Sequence, residues 1–364
     1  MNIFSKVLMA TLAATTALVP TADACSRLAK MSDHGVAYVR SVDWGTKTGM
    51  DLVTFSVGDD VTKYEAEGFA RQANYGAKNF TVAWVENMTF HGVQAQAFND
   101  KGLVADTLYM APSADFIGEY EDTGAPAVNV ADAPGYLAAM YETAPAIAAA
   151  YDAGEFQLAW SADLGAAGQH GVHVSAVDVN GNVVLFQVNE GGKVRVYAGN
   201  IEDSDLGVKA NAPLLQEHRK NIAAFNAEDG KTAHNVPADI SSASRHLRLT
   251  WLNQNITLNG MTKAEALGAV QNIYDSGASV PQQVIDPTIG DTYTTRQTSR
   301  TILGEDIVTV RDFSTAAEIS FSIQDAKIAH DLNGGQVCAD AMAQANDGKR
   351  MIEFSACQSQ AEGS

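Results

Sequence analysis

Ala22-Asp23-Ala24-Cys25-Ser26-Arg27, followed fifteen residues after the cysteine by Arg40-Ser41-Val42-Asp43-Trp44, is the stretch on which the reading of this chain turns. Upstream, Met1 to Lys6 is short and weakly positive, and Val7 to Val19 is an apolar run rich in Ala and Leu. That run is too short to span a bilayer; Pro20 breaks it, and Ala22 and Ala24 are the small residues a signal peptidase reads. Residues 1–24 are therefore read as a secretory signal, and cleavage after Ala24 makes Cys25 the first residue of the mature chain. An N-terminal cysteine carries a thiol and a free α-amine on adjacent carbons. Such an amine titrates near pH ~8, so one residue offers both a nucleophile and a base near neutrality. A cysteine after a signal can also carry a lipid anchor, which would make the protein a tethered binding protein. Lipoprotein signals put Leu three positions ahead of the cysteine, whereas Ala22 stands there and the acidic Asp23 intrudes.

The rest of the composition narrows the class. The chain has 364 residues, of which 46% are hydrophobic and 18% charged, which describes a globular protein with ample core. Its net charge is −19, and removal of Lys6 and Asp23 with the signal leaves that unchanged. Such acidity argues against nucleic acid or an anionic membrane as partner. After the signal no segment is long and apolar enough to cross a membrane. The mature chain has three cysteines; after export Cys338 and Cys357 are expected to pair, leaving Cys25 as the odd thiol. Neither Cys-x-x-Cys nor His-Glu-x-x-His occurs, so no metal site is expected. The absence of Gly-x-Ser-x-Gly removes the commonest serine-hydrolase reading.

Periodicity predicts strands first, helices in the middle and strands again, in one domain over residues 25–364. Strands are predicted at Gly35–Val42 after an Asp33-His34-Gly35 turn, with Asp51–Val57 as its partner, and at Phe80–Glu86, Val93–Phe98 and Leu103–Met110. Asp132–Asp152 is an Ala-rich helix that Pro145 should kink or divide. Val172–Val179, Val183–Val188 and Lys193–Tyr197 follow as strands, the first two joined by the hairpin signal Asn180-Gly181. Helices are predicted at Ala212–Asn226, Ser242–Asn255 and Thr262–Asp275, the last with a Thr262/Glu265 capping box. Strands Thr292–Ile302, Asp306–Arg311 and Glu318–Ile323 come next, then a helix over Gln336–Asn346. This order is α+β rather than alternating βα.

Four motifs in order carry a resemblance. Cys25 with Arg40-Ser-Val-Asp43-Trp44 resembles the start of the choloylglycine hydrolase family, which includes bile salt hydrolases, penicillin V acylases and N-acyl homoserine lactone acylases. Phe98-Asn-Asp-Lys-Gly-Leu103 resembles its Met-Asn-Glu-Lys-Gly-Leu strand entry, and Ala210-Asn-Ala-Pro213 its Thr-Asn-x-Pro turn. Pro237-Ala-Asp-Ile-Ser-Ser-Ala-Ser-Arg245 resembles its Pro-Gly-Asp-x-Ser-Ser-x-Ser-Arg helix start. The resemblance implies a four-layer αββα sandwich of the N-terminal nucleophile hydrolase fold, with Cys25 opening a central strand. It also implies cofactor-free hydrolysis of a small N-acyl amide, and a homo-oligomer, often a tetramer.

The roles it implies make chemical sense. The Cys25 sulfur attacks the amide carbonyl while its amine handles the proton. Arg40 would lower the thiol pKa, and Asp43 would accept from the α-ammonium. Asn211 and the backbone N–H at Tyr109 would hold the oxyanion, and Arg245 would add positive charge nearby. Without the family order, Arg40 and Asp43 read first as a solvated pair on opposite strand faces, and Asn211 could be a turn residue and Arg245 a helix-surface cation. Trp44 and Tyr109 are expected to wall the acyl pocket. Position 109 is often Asn in bile salt hydrolases; an aromatic there, with Trp44 and an export signal, resembles the Gram-negative penicillin V acylase and homoserine lactone acylase branch. The expected location is the periplasm or the secreted fraction.

Overall fold

The computed structural model describes residues 25–74, 76–160, 170–227, 235–286 and 291–357. The signal assigned to residues 1–24 and the tail after Cys357 lie outside them. The described residues form two large antiparallel sheets and eight α-helices. A six-stranded sheet runs in the order Val208–Ala210, Ser26–Ser32, Gly35–Trp44, Thr294–Ile302, Ile307–Asp312, Glu318–Ser322. A nine-stranded sheet runs Lys193–Asn200, Asn182–Asn189, Val172–Val177, Val104–Tyr109, Val93–Asn99, Thr81–Glu86, Asp51–Phe55, Val337–Asp340, Ser355–Ala356.

The layers follow from alternation within the strands. Successive side chains of a strand point to opposite faces, and here both faces of each sheet are covered, so strands such as Thr81–Glu86 are buried throughout. Val82 and Trp84 join Tyr38, Phe98, Leu185, Val310 and Phe321 in the core between the sheets. Ala83 and Val85 face outward, where Tyr136, Leu137 and Ile147 of helices Ala133–Met140 and Ala144–Asp152 cover them. On the other side Leu28, Ala37 and Val39 meet Leu249 of helix Ser242–Asn255 and Val270, Ile273 and Tyr274 of helix Lys263–Gly277. Helix, sheet, sheet, helix is the expected αββα sandwich. No helix among the described residues is long and apolar enough to cross a membrane.

Local signals act as expected in several places. Thr262 and Glu265 form both halves of a capping box. Gly181 takes a positive φ in the tight turn between Val172–Val177 and Asn182–Asn189, as the hairpin requires. The Asp132–Asp152 region divides in two. The break falls at Tyr141, while Thr143 caps the second helix and Pro145 sits in its first turn, where a missing N–H costs nothing.

Two expectations are corrected. Asp51–Phe55 does not pair with Gly35–Trp44; it lies in the other sheet between Thr81–Glu86 and Val337–Asp340, because the intervening segment crosses from one layer to the next. The true partners of Gly35–Trp44 are Ser26–Ser32 and Thr294–Ile302. Gln336–Asn346 is not one helix: Val337–Asp340 is a strand, and Asp340 caps a short helix Ala341–Asn346. A helix that periodicity did not reveal, Ile323–Asn333, buries only Ile323, Ala326 and His330, too narrow a stripe to register as amphipathic. Cys338 and Cys357 are joined in a disulfide that ties the last two strands of the nine-stranded sheet.

Candidate active site

Strand register brings the predicted residues together. Cys25 directly precedes Ser26–Ser32, which is hydrogen-bonded on both sides, one strand in from the sheet edge. On one side Arg27 pairs with Arg40, so Asp43 lies just past the point opposite Cys25. On the other side Ser26 pairs with Ala210, and the register continued by one residue sets Asn211 across from Cys25. Cys25 is buried, as are Arg40, Asp43, Asn211 and Arg245. The bland reading of Arg40 and Asp43 as a solvated pair is thereby excluded. They do face opposite sides of their strand, but each side is covered.

Arg40 points between the sheets. It donates to the Thr107 carbonyl at 2.7 Å and lies 5.3 Å from the centre of the Trp84 ring, while its Nε and Nη1 meet no acceptor. Asp43 points toward the helices. Its Oδ2 accepts from Arg245 Nη1 at 3.2 Å, while Oδ1 has no hydrogen-bond partner. Burial pushes the Asp43 carboxyl up to about 6, against the opposing pull of Arg245 and the nearby Thr295 and Ser41 hydroxyls.

The helix carrying Arg245 starts where its sequence motif says it should. Ser241 caps it by accepting from Ser244 N, and Asp239 accepts from Ser241 N and from the Ser244 hydroxyl at 2.6 Å. This fixes the first turn and aims Arg245 inward, where it donates to Ser26 Oγ at 2.7 Å and to the Ile240 carbonyl. Arg245 is thus held by Asp43, Ser26 and the Ile240 carbonyl, and it does not line the cleft beside Cys25. The Asn99 turn works similarly. Its side chain accepts from the amides of Lys101 and Leu103 and donates to the carbonyls of Ala138 and Tyr141, seating the strand that ends in Tyr109.

Burial raises the Cys25 thiol above its ordinary value; Arg40 and Arg245 lower it and Asp43 raises it, and burial prevails. The expected depression by Arg40 is thus outweighed. A buried thiol that stays protonated needs an adjacent base before it can attack. Asn211 is fully buried with neither side-chain atom hydrogen-bonded, and its backbone carbonyl meets His218 Nε2 at 2.9 Å. Two free dipoles on a buried amide are costly unless something else arrives to meet them.

Beside Cys25 lies an apolar cleft of about 60 Å³, walled by Trp44, Phe90 and Tyr109 and floored by Val42, Val93, Ala95 and Val172. Trp44 meets Phe90 edge-on at 4.7 Å and Tyr109 at 5.8 Å. The Tyr109 hydroxyl lies 3.2 Å from His170 Nδ1. Trp44 and Tyr109 were expected here. Phe90, Glu86 and His170 were not, and nothing in the Glu86–Gly92 sequence marks it as a wall. Among the described residues no cluster of His, Cys, Asp or Glu is arranged to hold a metal ion.

No protein-family model matches the chain, and no curated protein matches it. Solved structures do. Penicillin V acylase from Agrobacterium tumefaciens superposes with a TM-score of 0.73 at 17% identity, over 91% of this chain and 98% of that one. Two variants of the conjugated bile acid hydrolase from Clostridium perfringens superpose with TM-scores of 0.65 and 0.63 at 15% identity, over 83% of this chain and 93% of theirs. At such identities the likeness is one of fold: this chain shares the αββα architecture of those structures.

Proposed function

We propose that this protein, after export and removal of residues 1–24, hydrolyses a linear amide of a small N-acyl compound through an acyl-thioester on Cys25. The observation that carries this reading is Asp43: a fully buried carboxylate beside Cys25 with one oxygen on Arg245 and the other unpartnered. An α-ammonium on a terminal Cys25 is the donor that oxygen lacks. The fold likeness to a penicillin V acylase and a bile acid hydrolase supports the same class of reaction.

The steps follow from the groups present. The α-amine takes the thiol proton as sulfur bonds to the amide carbon, and the carbonyl oxygen becomes an oxyanion. Asn211 Nδ2 meets that charge, with the Tyr109 backbone N–H as the second donor that the resemblance implies. Collapse breaks the C–N bond, and the leaving nitrogen takes the proton from the α-ammonium. A water, losing its proton to the same amine, then attacks the thioester, releasing the acid and restoring the thiol. Arg40 supports the negative charge on sulfur, and Asp43 with Arg245 orients the amine.

Substrate choice belongs to the aromatic cleft. A slot between Trp44, Phe90 and Tyr109 suits a flat phenoxyacetyl group or an acyl chain better than a rigid sterol. Penicillin V and N-acyl homoserine lactones therefore rank above conjugated bile salts. We further propose a periplasmic or secreted homo-oligomer, a tetramer by resemblance, which light scattering of the purified protein measures.

The test combines N-terminal sequencing and intact mass with kcat/KM for penicillin V, short- and long-chain homoserine lactones and a glycine-conjugated bile salt. A free Cys25 terminus is expected, with the first two substrate classes turned over fastest. Cys25→Ala should lower kcat/KM by about 10⁴-fold or more while folding normally. A thioether-lipidated Cys25 would favour the anchored binding protein, and full activity in Cys25→Ala would overturn the mechanism. Bile salt as the best substrate would overturn the ranking alone.

A further inference from the structure

The cleft beside Cys25 is small, about 60 Å³, and open toward solvent, so the part of an acyl group that lies against Cys25 is limited by how closely the cleft walls stand. Two walls are anchored by regular structure: Tyr109 within its strand, and Trp44 at the end of Gly35–Trp44, where Arg296 donates to the Trp44 carbonyl at 2.9 Å and to the Gly45 carbonyl. The third, Phe90, sits in the Asn87–Gly92 connection between Thr81–Glu86 and Val93–Asn99, outside any helix or strand. His91 and Gly92 both have positive φ, so this is a sharp turn; its base is closed by Gly92 N to the Glu86 carbonyl and Val93 N to the Phe90 carbonyl, while the amides of residues 88–90 are met by a side chain.

Those contacts converge on one side chain. Glu86 is 2% exposed and lines the cleft. Its Oε1 accepts from Gly49 N at 2.6 Å and Met88 N at 3.0 Å, and its Oε2 from Thr89 N at 2.7 Å and Phe90 N at 2.6 Å. One carboxylate thus gathers three successive amides of the Phe90 segment and one from the segment that follows Trp44. The other ties on Asn87–Gly92 are Asn87 Nδ2 to Asp51, Thr89 Oγ1 to the Lys47 carbonyl and to Thr46 Oγ1, Tyr64 Oη to the His91 carbonyl, and the backbone bonds of Gly92 N to the Glu86 carbonyl at 2.7 Å and of Val93 N to the Phe90 carbonyl at 3.2 Å; none reaches the Phe90 amide.

We propose that Glu86 is a latch that sets the acyl capacity of the cleft: a positioning residue whose carboxylate holds the Phe90 segment closed against Trp44 and so discriminates among acyl groups by size. The inference rests on reading the cleft as the acyl site. A carboxylate has two oxygens that accept and nothing that donates, whereas a glutamine presents two N–H groups where two backbone amides already point. Glu86→Gln therefore breaks at least two of the four bonds and loosens the segment, while Glu86→Asp keeps the charge at shorter reach.

The test uses the mature protein and compares wild type, Glu86→Gln, Glu86→Asp and Phe90→Ala. Cys25 is labelled with chloroacetamides bearing short or long N-alkyl chains, a readout that needs no turnover, and kcat/KM is measured for short- and long-acyl amides. Glu86→Gln should raise the long-to-short labelling ratio, and the matching kcat/KM ratio, about tenfold, with faster amide exchange at Gly49 and at residues 88–90. Glu86→Asp should fall between Gln and wild type. Phe90→Ala, which removes the wall and leaves the latch, should raise the ratio as well and covers the case in which Glu86→Gln does not fold. Faster exchange with an unchanged labelling ratio would overturn the latch and leave Glu86 a structural residue. Length-dependent labelling without amide hydrolysis would instead keep the latch and defeat the amidase reading.

Discussion

Asp43 and Asp106 are both fully buried carboxylates on neighbouring layers, and they are treated in opposite ways. Asp106, on Val104–Tyr109, is saturated: Lys209 forms an ion pair with it, and Ser175 Oγ at 2.9 Å and Tyr38 Oη at 2.8 Å donate to it. It faces a row of three buried cations, since Arg27 is the cross-strand neighbour of both Lys209 and Arg40. Like charges abreast in a sheet repel, and Asp106 offsets them. Burial would raise its carboxyl, but Lys209, Arg27 and Arg40 together hold it well below the usual carboxylate range. Asp43 has one cationic partner and a vacant oxygen, and burial pushes it up to about 6. A carboxylate whose hydrogen bonds are complete stabilises the fold. One left short of a donor carries a cost that only a further group, in the proposed reaction the α-ammonium, removes.

Substitution should separate the two. Asp43→Asn should reduce kcat/KM for the best amide substrate about 10²- to 10⁴-fold, with a smaller loss of unfolding free energy at pH 7 than Asp106→Asn, because it strands one buried cation, Arg245, rather than a row of three. Asp106→Asn should do the reverse, losing about 3–5 kcal/mol in denaturant unfolding because it strands buried cations. Equal stability losses in both variants would erase the distinction.

Acid should separate them too. Because the folded pKa of Asp43 lies above its unfolded value, that group's contribution to stability falls as pH rises through about 4 to 6. Over the same range its charge appears, and an α-ammonium on Cys25 would draw the carboxyl lower, so kcat/KM of the mature enzyme should decline as pH falls through the carboxylate range. The folded pKa of Asp106 is depressed, so its contribution is present above the unfolded value and is lost as pH falls below about 4. Unfolding curves of the Asn variants across pH 3–7 should show each slope vanish in turn. Persistence of the low-pH loss in Asp106→Asn would contradict the assignment. The smallest expected effect is a control remote from both: Thr262→Ala removes half a capping box and should cost about 1 kcal/mol without altering the pH profile of either variant.

The legible part of the site was its chemistry rather than its surroundings. Cys25, Arg40, Asp43, Asn211 and Arg245 were marked by ordered motifs, and the structure gathers all five. Several motif residues prove to be scaffolding for that gathering: Asp239 and Ser241 cap the helix that delivers Arg245, and Asn99 seats the strand that ends in Tyr109. Glu86 and Asp106 left no sequence signal. Their importance lies in which backbone amides and side chains meet them from segments distant in sequence, as when Asp106 pairs with Lys209. The misassigned strand partner of Gly35–Trp44 has the same origin, for the nearest suitable strand along the chain went to the other sheet.

By itself the sequence determined the local matters: alternation that makes strands, Asn-Gly and capping-box signals that end them or start helices, and an α+β order. These depend on neighbours within a few residues, where sterics and hydrogen bonding act directly. Only the tertiary structure decided which strands pair, which face each charged side chain turns to and whether its hydrogen bonds are filled. The vacant oxygen of Asp43 and the saturated Asp106 differ for that reason. Burial and the partners available are properties of the packed layers, and in a low-dielectric interior those partners set whether a charge stabilises the fold or remains available for chemistry.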